Sequence, residues 1–411
     1  MPLPVPNEIL HKILLRLPLA SIPRVALTCR RLNAIISSEV YWQDRAQADY
    51  RLPRCAAFRR AGWRQLYKRL RDPVVLNWGD PGNSRLGRRV ARDNRRPVEV
   101  DALRGRRVVA VWVMGWGMAA LTAIGEVLWW GTFSERWGPI ALRPTALALT
   151  PGVRVAQMET GRQYLVCRTH DGKVIFFSAT RDGIVPMHVP LPASDPITHI
   201  AASWHHFLAV GTSGAVYSAP ANAEMAIVPH AVDGDPFVTV AGCQGLSIAI
   251  SARGDVYTWA ENGESGPPIL HPDFSGRGFV YLSGSLHAFH LYSTAGDVVF
   301  IKHNNGVLSD ITPASLKPIK GVAPVIQSES GDWHHGALRE DGTLWMWGAD
   351  SNGALGISLS GNARHIDEPT QVREGLENLF VFQIALGGWH SAALAVRIED
   401  GAVPDGGQPP Q

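Results

Sequence analysis

Cysteine is scarce in this chain, and the four that occur are scattered. Cys29, Cys55, Cys167 and Cys243 form no Cys-x-x-Cys pair, so the sequence indicates neither a zinc site nor a disulfide framework. No Asn-x-Ser/Thr site occurs, the N-terminus has no long apolar stretch, and no apolar run approaches the ~20 residues of a membrane span. We therefore expect a soluble intracellular protein, cytoplasmic, nuclear or both, without a membrane partner.

Motifs of catalysis and of nucleotide binding are missing as well. The chain contains no His-Glu-x-x-His, no Gly-x-Ser-x-Gly and no Walker loop, so we expect no catalytic residues, no cofactor and no metal. Gly115-Trp116-Gly117 formally opens a dinucleotide fingerprint, but such a fingerprint needs a helix next, and here a glycine turn follows at Gly125. We interpret this segment as a loop between strands.

What the sequence does contain is one short pattern that recurs six times. Each copy is an apolar run, a glycine turn and a second apolar run, and the spacing is 40 to 47 residues. A strand-type repeat of roughly 40–50 residues is typical of a β-propeller. The position five residues after the turn is aromatic in four of the six copies. The turn glycines are Gly125, Gly172, Gly214, Gly254, Gly296 and Gly342.

The two ends of the repeat region complement each other. Residues 387–394 are a first half-repeat without a second half, and residues 75–87 are a second half without a first. Pairing them closes the ring and leaves no free sheet edge. We therefore predict a mainly β fold, a seven-bladed propeller over residues 73–397 whose last blade is shared between the chain ends. The Gly- and Pro-rich residues 398–411 predict a disordered tail.

The N-terminal segment predicts helices instead. Pro18 ends a first helix with a broad apolar stripe, and Ser21 begins a second helix with Pro23 in its first turn. About fifty residues make a thin core, so the stripe either packs on the propeller or docks a partner. Residues 51–72 predict a helix that links the two parts. The stripe consists of Ile9, Leu10, Ile13, Leu14 and Leu17.

Charge divides the chain unevenly. Residues 1–110 contain 23 Lys and Arg against 9 Asp and Glu, whereas the remainder contains 16 against 27. Such asymmetry indicates different partners for the two parts. Nine arginines crowd residues 85–107, which we interpret as a solvated insertion, with contact to an acidic protein surface or to nucleic acid as alternatives. Interleaved aromatic residues are missing there, which argues against binding of single-stranded nucleic acid.

Four short motifs of the N-terminal segment together resemble an F-box. They are residues 5–10 (Val-Pro-Asn-Glu-Ile-Leu), Leu17-Pro18, residues 25–33 and Tyr41-Trp42, and only Val5 departs from the family's pattern. The resemblance implies an F-box over residues 1–50 that binds the Skp-family adaptor of an SCF ubiquitin ligase. The adaptor-binding residues that it implies are Pro6, Ile9, Leu10, Ile13, Leu14, Leu17, Pro18 and Trp42, the last packing the short C-terminal part of the motif.

The repeats resemble those of the regulator-of-chromosome-condensation family. Residues 347–356 contain Trp-Gly-x₆-Leu-Gly, residues 387–394 contain Gly-x-x-His-x-x-x-Leu, and Ala219 and Ile301 replace the family's Trp in two middle blades. An F-box before such a propeller resembles a fungal family of substrate receptors, of the SCF-associated-factor type. This implies a non-catalytic subunit that holds a protein substrate for ubiquitination and proteasomal degradation, with cullin and RING subunits reached through the adaptor. A guanine-nucleotide exchange factor or a chromatin-binding scaffold are the alternatives.

Tryptophan and histidine recur side by side at one register of several blades. We interpret these residues mainly as contacts between blades, with a recognition surface or a metal site as alternatives. Exposed Trp and His on the blade-connecting loops are the expected anchors of a protein substrate. They are Trp204, Trp333, Trp389, His334 and His390.

Overall fold

The computed structural model describes eleven stretches of the chain. Within them the chain forms five α-helices followed by 28 strands in seven sheets. The described residues are 5–50, 62–88, 94–135, 138–221, 228–261, 267–285, 287–293, 298–302, 316–319, 321–359 and 364–398.

The helices lie in the N-terminal part. The second helix expected from the sequence is two helices, because Cys29 is extended (φ −158°, ψ 156°) and separates them. The predicted linker helix over residues 51–72 is described only from residue 62, and it contains the last of the five. The helices are α1 (Asn7–Arg16), α2 (Ile22–Ala26), α3 (Arg30–Ser37), α4 (Glu39–Tyr50) and α5 (Trp63–Arg69).

The strands form a seven-bladed β-propeller, as predicted, and each blade is a four-stranded antiparallel meander. Blade 1 contains β3 (Val108–Val113), β4 (Gly117–Thr122), β5 (Val127–Gly131) and β6 (Ala141–Ala146). Blade 2 contains β7 (Val155–Thr160), β8 (Tyr164–Thr169), β9 (Val174–Ala179) and β10 (Ile184–His188). Blade 3 contains β11 (Ile197–Ala202), β12 (His206–Gly211), β13 (Val216–Pro220) and β14 (Val228–His230).

The next three blades repeat this arrangement around the ring. Blade 4 contains β15 (Phe237–Cys243), β16 (Leu246–Ser251), β17 (Val256–Ala260) and β18 (Ile269–Leu270). Blade 5 contains β19 (Phe279–Gly284), β20 (Ala288–Ser293), β21 (Val298–Lys302) and β22 (Leu316–Pro318). Blade 6 contains β23 (Val325–Ser330), β24 (His334–Arg339), β25 (Leu344–Ala349) and β26 (His365–Gln371).

Blade 7 is the shared blade. It joins β27 (Leu379–Leu386) and β28 (His390–Arg397) from the C-terminal side to β1 (Val74–Gly79) and β2 (Asn94–Glu99) from the N-terminal side. Strands β1 and β28 are antiparallel partners from Val74 opposite Ala395 to Gly79 opposite His390. The ring therefore closes by hydrogen bonds between segments that lie about three hundred residues apart in the chain.

The repeated glycines and tryptophans have packing roles. A Cβ on Gly87 would lie 2.7 Å from the Trp130 ring, and one on Gly356 would lie 2.8 Å from Trp78 Nε1. Each of these glycines follows the third strand of its blade and lets the tryptophan of the next blade approach. The turn glycines between second and third strands have φ of +81° to +84° wherever they are described, whereas Gly296 lies outside the described residues.

The helices and the propeller share one hydrophobic core. Leu14, Trp42 and Tyr67 belong to the same buried cluster as Val127 of blade 1 and Phe382 of blade 7. Strand β1 begins directly after α5 and ends beside His390, so the helices lie at the opposite end of the propeller axis from the β27–β28 loop. Because one core includes both parts, the orientation of the propeller relative to the N-terminal helices is fixed by packing.

Candidate functional site

Helix α1 has two apolar faces. Leu10 and Leu14 are buried inside the chain, whereas Ile9 and Ile13 are 45% and 50% exposed. Residues four apart share one side of a helix, and a shift of one residue turns the side chain by about 100°. The expectation that the whole stripe faces an adaptor is therefore corrected: Leu10 and Leu14 pack against the other helices.

Trp42 is also internal. Its ring lies 5.1 Å from that of Tyr67 on α5, and the Arg64 guanidinium lies 5.5 Å from its centroid. A side chain buried in this way has no surface for an adaptor. The expectation that Trp42 binds the adaptor is therefore corrected, whereas the expectation that it packs the C-terminal part of the motif agrees with its contacts to Tyr41 and Tyr67.

The remaining apolar surface of the helical part extends beyond α1. Leu27, between α2 and α3, is 87% exposed, and Leu19 and Val40 are exposed as well. Of the other residues implied for the adaptor, Pro6 and Pro18 are exposed and Leu17 is half-buried. A small domain that leaves five large aliphatic side chains in water has the character of a docking surface. We call this set the F-box patch: Ile9, Ile13, Leu19, Leu27 and Val40.

The opposite end of the propeller is built from loops. At the end of the propeller next to the helices, the turns between strands are tight. The connections from third to fourth strands lie at the far end, and some of them are long, as in residues 80–93 and 350–364. The loops between first and second strands also lie there, around the axis. This arrangement places variable loops on the surface that faces away from the F-box patch.

Arg162 crosses the axis at this end. It lies in the β7–β8 loop of blade 2, and its Nη1 donates a 2.9 Å hydrogen bond to Oδ2 of Asp332 in the β23–β24 loop of blade 6. Two blades separate these partners on one side of the ring and three on the other. The guanidinium carbon lies 3.8 Å from the Trp204 ring centroid, 4.6 Å from that of Trp116 and 5.6 Å from that of Trp389.

The three predicted tryptophans lie on loops at this end of the propeller. Trp204 and Trp389 are half-buried beside Arg162, and Trp333, next to Asp332, is 56% exposed. Trp and Arg are the residue types that most often anchor protein interfaces. We call this set the axial collar: Trp116, Arg162, Trp204, Asp332, Trp333 and Trp389.

His334 and His390 do not belong to the collar, and the expectation that they bind substrate is corrected. Both are fully buried between blades. His334 Nε2 bonds Ser391 Oγ at 2.9 Å, and His390 Nε2 donates to the Gly117 carbonyl at 3.2 Å. Burial lowers the pKa of His334 to about 3, so this imidazole is neutral at physiological pH. The interpretation of the repeated histidines as contacts between blades is confirmed for these two residues.

A polar cavity of about 180 Å³ lies along the axis beneath the collar. Glu159 of blade 2 and Glu329 of blade 6 line it, and burial raises their pKa to about 8 and about 7. Glutamines two residues earlier on the same strands bond the next blade: Gln157 Nε2 donates to the Ile200 carbonyl, and its Oε1 accepts from the Ile200 amide. The cavity is therefore bounded by the collar above and by inner strands at its sides, and glutamine side chains link some of these strands.

The arginines after β1 are less solvated than we expected. Arg85 is buried, and its guanidinium carbon lies 5.4 Å from the Trp389 ring on the collar. Arg88 is half-buried and donates to the Asn77 side chain at 3.3 Å. The interpretation as a solvated insertion is therefore corrected for these two, whereas Arg89 and Arg92 lie outside the described residues.

Sequence reasoning missed Arg162 and Asp332. Each follows a glycine directly after the first strand of its blade, the register that carries Trp204 in blade 3. A residue at this position of the repeat is expected to lie near the axis. The sequence does not predict that one arginine reaches across the ring. Among the described residues, no group of three or more His, Cys, Asp or Glu is placed to hold a metal ion. Within the same ranges, no helix is long and apolar enough to cross a membrane.

Two family matches coincide with the two parts of the fold. Residues 5–48 match the F-box-like family, and residues 341–394 match the regulator of chromosome condensation (RCC1) repeat. The chain thus combines an F-box-like helical region with a seven-bladed propeller that contains an RCC1 repeat.

Individual relatives match the chain in part. The ultraviolet-B receptor UVR8 of Arabidopsis thaliana is 25% identical over 317 residues, 70% of this chain and 63% of that protein. The F-box protein pof9 of Schizosaccharomyces pombe is 28% identical over 145 residues, 32% of this chain and 30% of that protein. The chain thus spans less than two thirds of either relative. The crystal structure of Prp20p from Saccharomyces cerevisiae superposes with a TM-score of 0.66 at 16% identity, covering 84% of this chain and 96% of that one.

Proposed function

We propose that this chain is the substrate-recognition subunit of an SCF-type ubiquitin ligase of the cytoplasm, the nucleus or both. The F-box binds a Skp-family adaptor and, through it, the cullin and RING subunits. The propeller holds a protein substrate for ubiquitination and proteasomal degradation, as in the fungal receptors of the SCF-associated-factor type. The observation that carries the proposal is the F-box patch, five aliphatic side chains that are 41% to 87% exposed in the part of the chain that the structure describes.

The two-ended geometry supports this division of roles. The F-box patch belongs to the helices at one end of the axis, and the axial collar lies at the other end. One continuous core joins them, so a substrate at the collar has a fixed position relative to an adaptor at the patch. A receptor of this kind supplies effective concentration and orientation, and the bond chemistry belongs to other subunits.

The test is co-purification of the full chain with a Skp-family adaptor. Replacing Ile9 and Ile13 by Asp should abolish recovery of the adaptor, because a buried aliphatic anchor is worth about 1.5–3 kcal/mol and a carboxylate costs more. Ile140 and Leu142, exposed aliphatic residues of blade 1, are the matched control when both are replaced by Asp. Replacing Leu10 and Leu14 is not diagnostic, since both are core residues.

Equal recovery of adaptor by the Ile9/Ile13 variant and by the blade 1 control would refute the proposal. An exchange factor built on the propeller is the alternative. Prp20p, whose structure was described together with its binding to Gsp1p and histones, shares the fold, but a likeness at 16% identity supports the fold alone. The exchange reading also leaves the F-box patch without a role.

A further inference from the structure

Arg162 is held in one orientation by its neighbours. Three indole rings surround its guanidinium, and Asp332 accepts a hydrogen bond from Nη1. This is the one side-chain hydrogen bond that Arg162 makes within the described residues, although a guanidinium has five N–H donors. Arg162 lines the axial cavity with 14% of its side chain exposed, and its other donors make no hydrogen bond within the described residues. A ligand that reaches these donors meets a side chain that its neighbours already hold in place.

Arg85 places a second positive charge beside the same ring. Its guanidinium carbon and that of Arg162 lie 5.4 Å and 5.6 Å from the Trp389 centroid. Arg85 Nη1 is buried without a hydrogen-bond partner among the described residues. Burial lowers the pKa of Arg85, repulsion from Arg162 lowers it further, and Asp80 and Glu135 offset part of the effect. Two like charges at one indole are therefore only partly neutralised by the protein itself.

Trp333 adds an exposed apolar side chain at the position after Asp332, the residue that orients Arg162. Trp333 is 56% exposed. An exposed tryptophan one residue from the partner of a fixed guanidinium fits a segment with an acidic side chain near an apolar one.

We propose that the axial collar binds an acidic segment of the protein substrate, with a carboxylate held by Arg162 and an apolar side chain against Trp333. This inference rests on the proposed receptor function and names the chemistry of its substrate. A carboxylate pairs bidentately with a guanidinium, and the potential of Arg85 strengthens that pairing. Asp332 orients Arg162 and leaves the rest of the fork free.

The experiment uses the full chain together with its adaptor and three fluorescein-labelled decapeptides. One peptide has glutamates around a central phenylalanine, one has lysines in place of the glutamates, and one has phosphoserines there. Binding is measured by fluorescence anisotropy at about 50 mM and about 500 mM salt, since surface ion pairs are screened at high salt. Intrinsic tryptophan emission, compared between the unaltered chain and Trp333→Ala, provides a second readout.

We expect the glutamate peptide to bind at low salt, to bind more weakly at high salt, and to bind better than the lysine peptide. Arg162→Lys retains the positive charge but not the paired N–H donors of the guanidinium. The affinity of this variant for the glutamate peptide should therefore fall about tenfold. Trp333→Ala, a change at an exposed side chain, should also weaken binding. Arg253→Ala, at an exposed arginine beside the Gly254 turn of the other end, should bind like the unaltered chain.

Three results would overturn the inference. The first is that Arg162→Lys and Trp333→Ala bind the glutamate peptide as tightly as the unaltered chain does. The second is binding of the phosphoserine peptide without binding of the glutamate peptide. The third is a preference for the lysine peptide. A preference for the lysine peptide would mean that the tryptophans bind a cation of the ligand at the position where the Arg162 side chain lies. Adaptor recovery from the same samples separates the two proposals, because Arg162→Lys leaves the F-box patch intact.

Discussion

At the residue scale, the interior contains titratable groups whose pKa values are shifted in opposite directions. Burial lowers the pKa of His206, His290 and His334 to about 3, and each bonds a serine of the next blade. Burial raises the pKa of Glu159 and Glu329 at the axis. In both cases the folded chain favours the neutral form of the group. The histidines therefore lower folding stability as pH falls, and the glutamates lower it as pH rises.

The glutamates predict a loss of stability as pH rises from about 4.5 to about 8. Over this range the folded chain binds protons at Glu159 and Glu329 that the unfolded chain, with carboxyl pKa near 4.5, has released. The histidines act in the opposite direction as pH falls below about 6.5, because the unfolded chain then binds protons that the folded chain does not, so the effect of the glutamates is measured best above that pH.

The measurement is the thermal midpoint as a function of pH for the unaltered chain and for Glu159→Gln with Glu329→Gln. The double variant should lose the decline above pH 6.5, whereas Glu368→Gln with Glu377→Gln, at exposed sites, should retain it. A decline of the same size in both variants would show that the axial carboxyls are not responsible.

At the element scale, one buried arginine fixes the end of α1. Arg45 of α4 donates from Nη1 to the carbonyls of Leu15 and Leu17 at 3.0 and 2.8 Å, and from Nε to Asp49 at 2.7 Å. The last carbonyls of a helix have no partner within it, and a cation there also suits the helix dipole. The C-terminal end of α1 is thus held by a contact made from another helix.

Replacing Arg45 by Met should destabilise the helical part by about 2 kcal/mol, because buried carbonyls lose their donor. Urea unfolding followed by circular dichroism in the helical band would measure the change. Arg16→Met, at an exposed position of α1, is the matched control and should unfold like the unaltered chain. Identical midpoints for the Arg45 and Arg16 variants would contradict this role of Arg45.

At the scale of the whole molecule, stability depends on closing the ring. Strand β28 has β27 on one side and β1 on the other, so it is the element through which the chain ends meet. Gln383 of β27 bonds Val111 of blade 1 through both its amide oxygen and its amide nitrogen, which extends the closure to the next blade. Arg162 and Asp332 connect opposite sides of the same ring.

Deleting residues 386–411 should therefore abolish cooperative unfolding of the propeller, because it removes β28 and exposes the edges of β1 and β27. Differential scanning calorimetry would test this. A chain that lacks only residues 399–411, beyond β28, serves as the control and should melt like the full chain. Native melting of the longer deletion would refute closure through the shared blade.

Much of the architecture follows from local pattern. Gly125 and Gly342 need positive φ in tight turns, and Trp130 and Trp347 recur at one offset from them because every blade packs on the next in the same way. Such periodic requirements are visible in a sequence, so the blade number and the shared blade could be predicted. The F-box could be recognised for a similar reason, since its motifs are short and continuous.

The sequence by itself determined which elements form, because hydrophobic period, turn glycines and capping prolines act over a few residues. Only the tertiary structure decided which side chains remain outside. Leu10 and Ile9 are adjacent and equally apolar, yet one is core and the other is surface, because helices from elsewhere in the chain cover one side of α1. Likewise, Arg162 and Asp332 are 170 residues apart in the sequence, and their contact depends on how the ring closes. The angles between the seven blades together set the distance between loops on opposite sides of the ring.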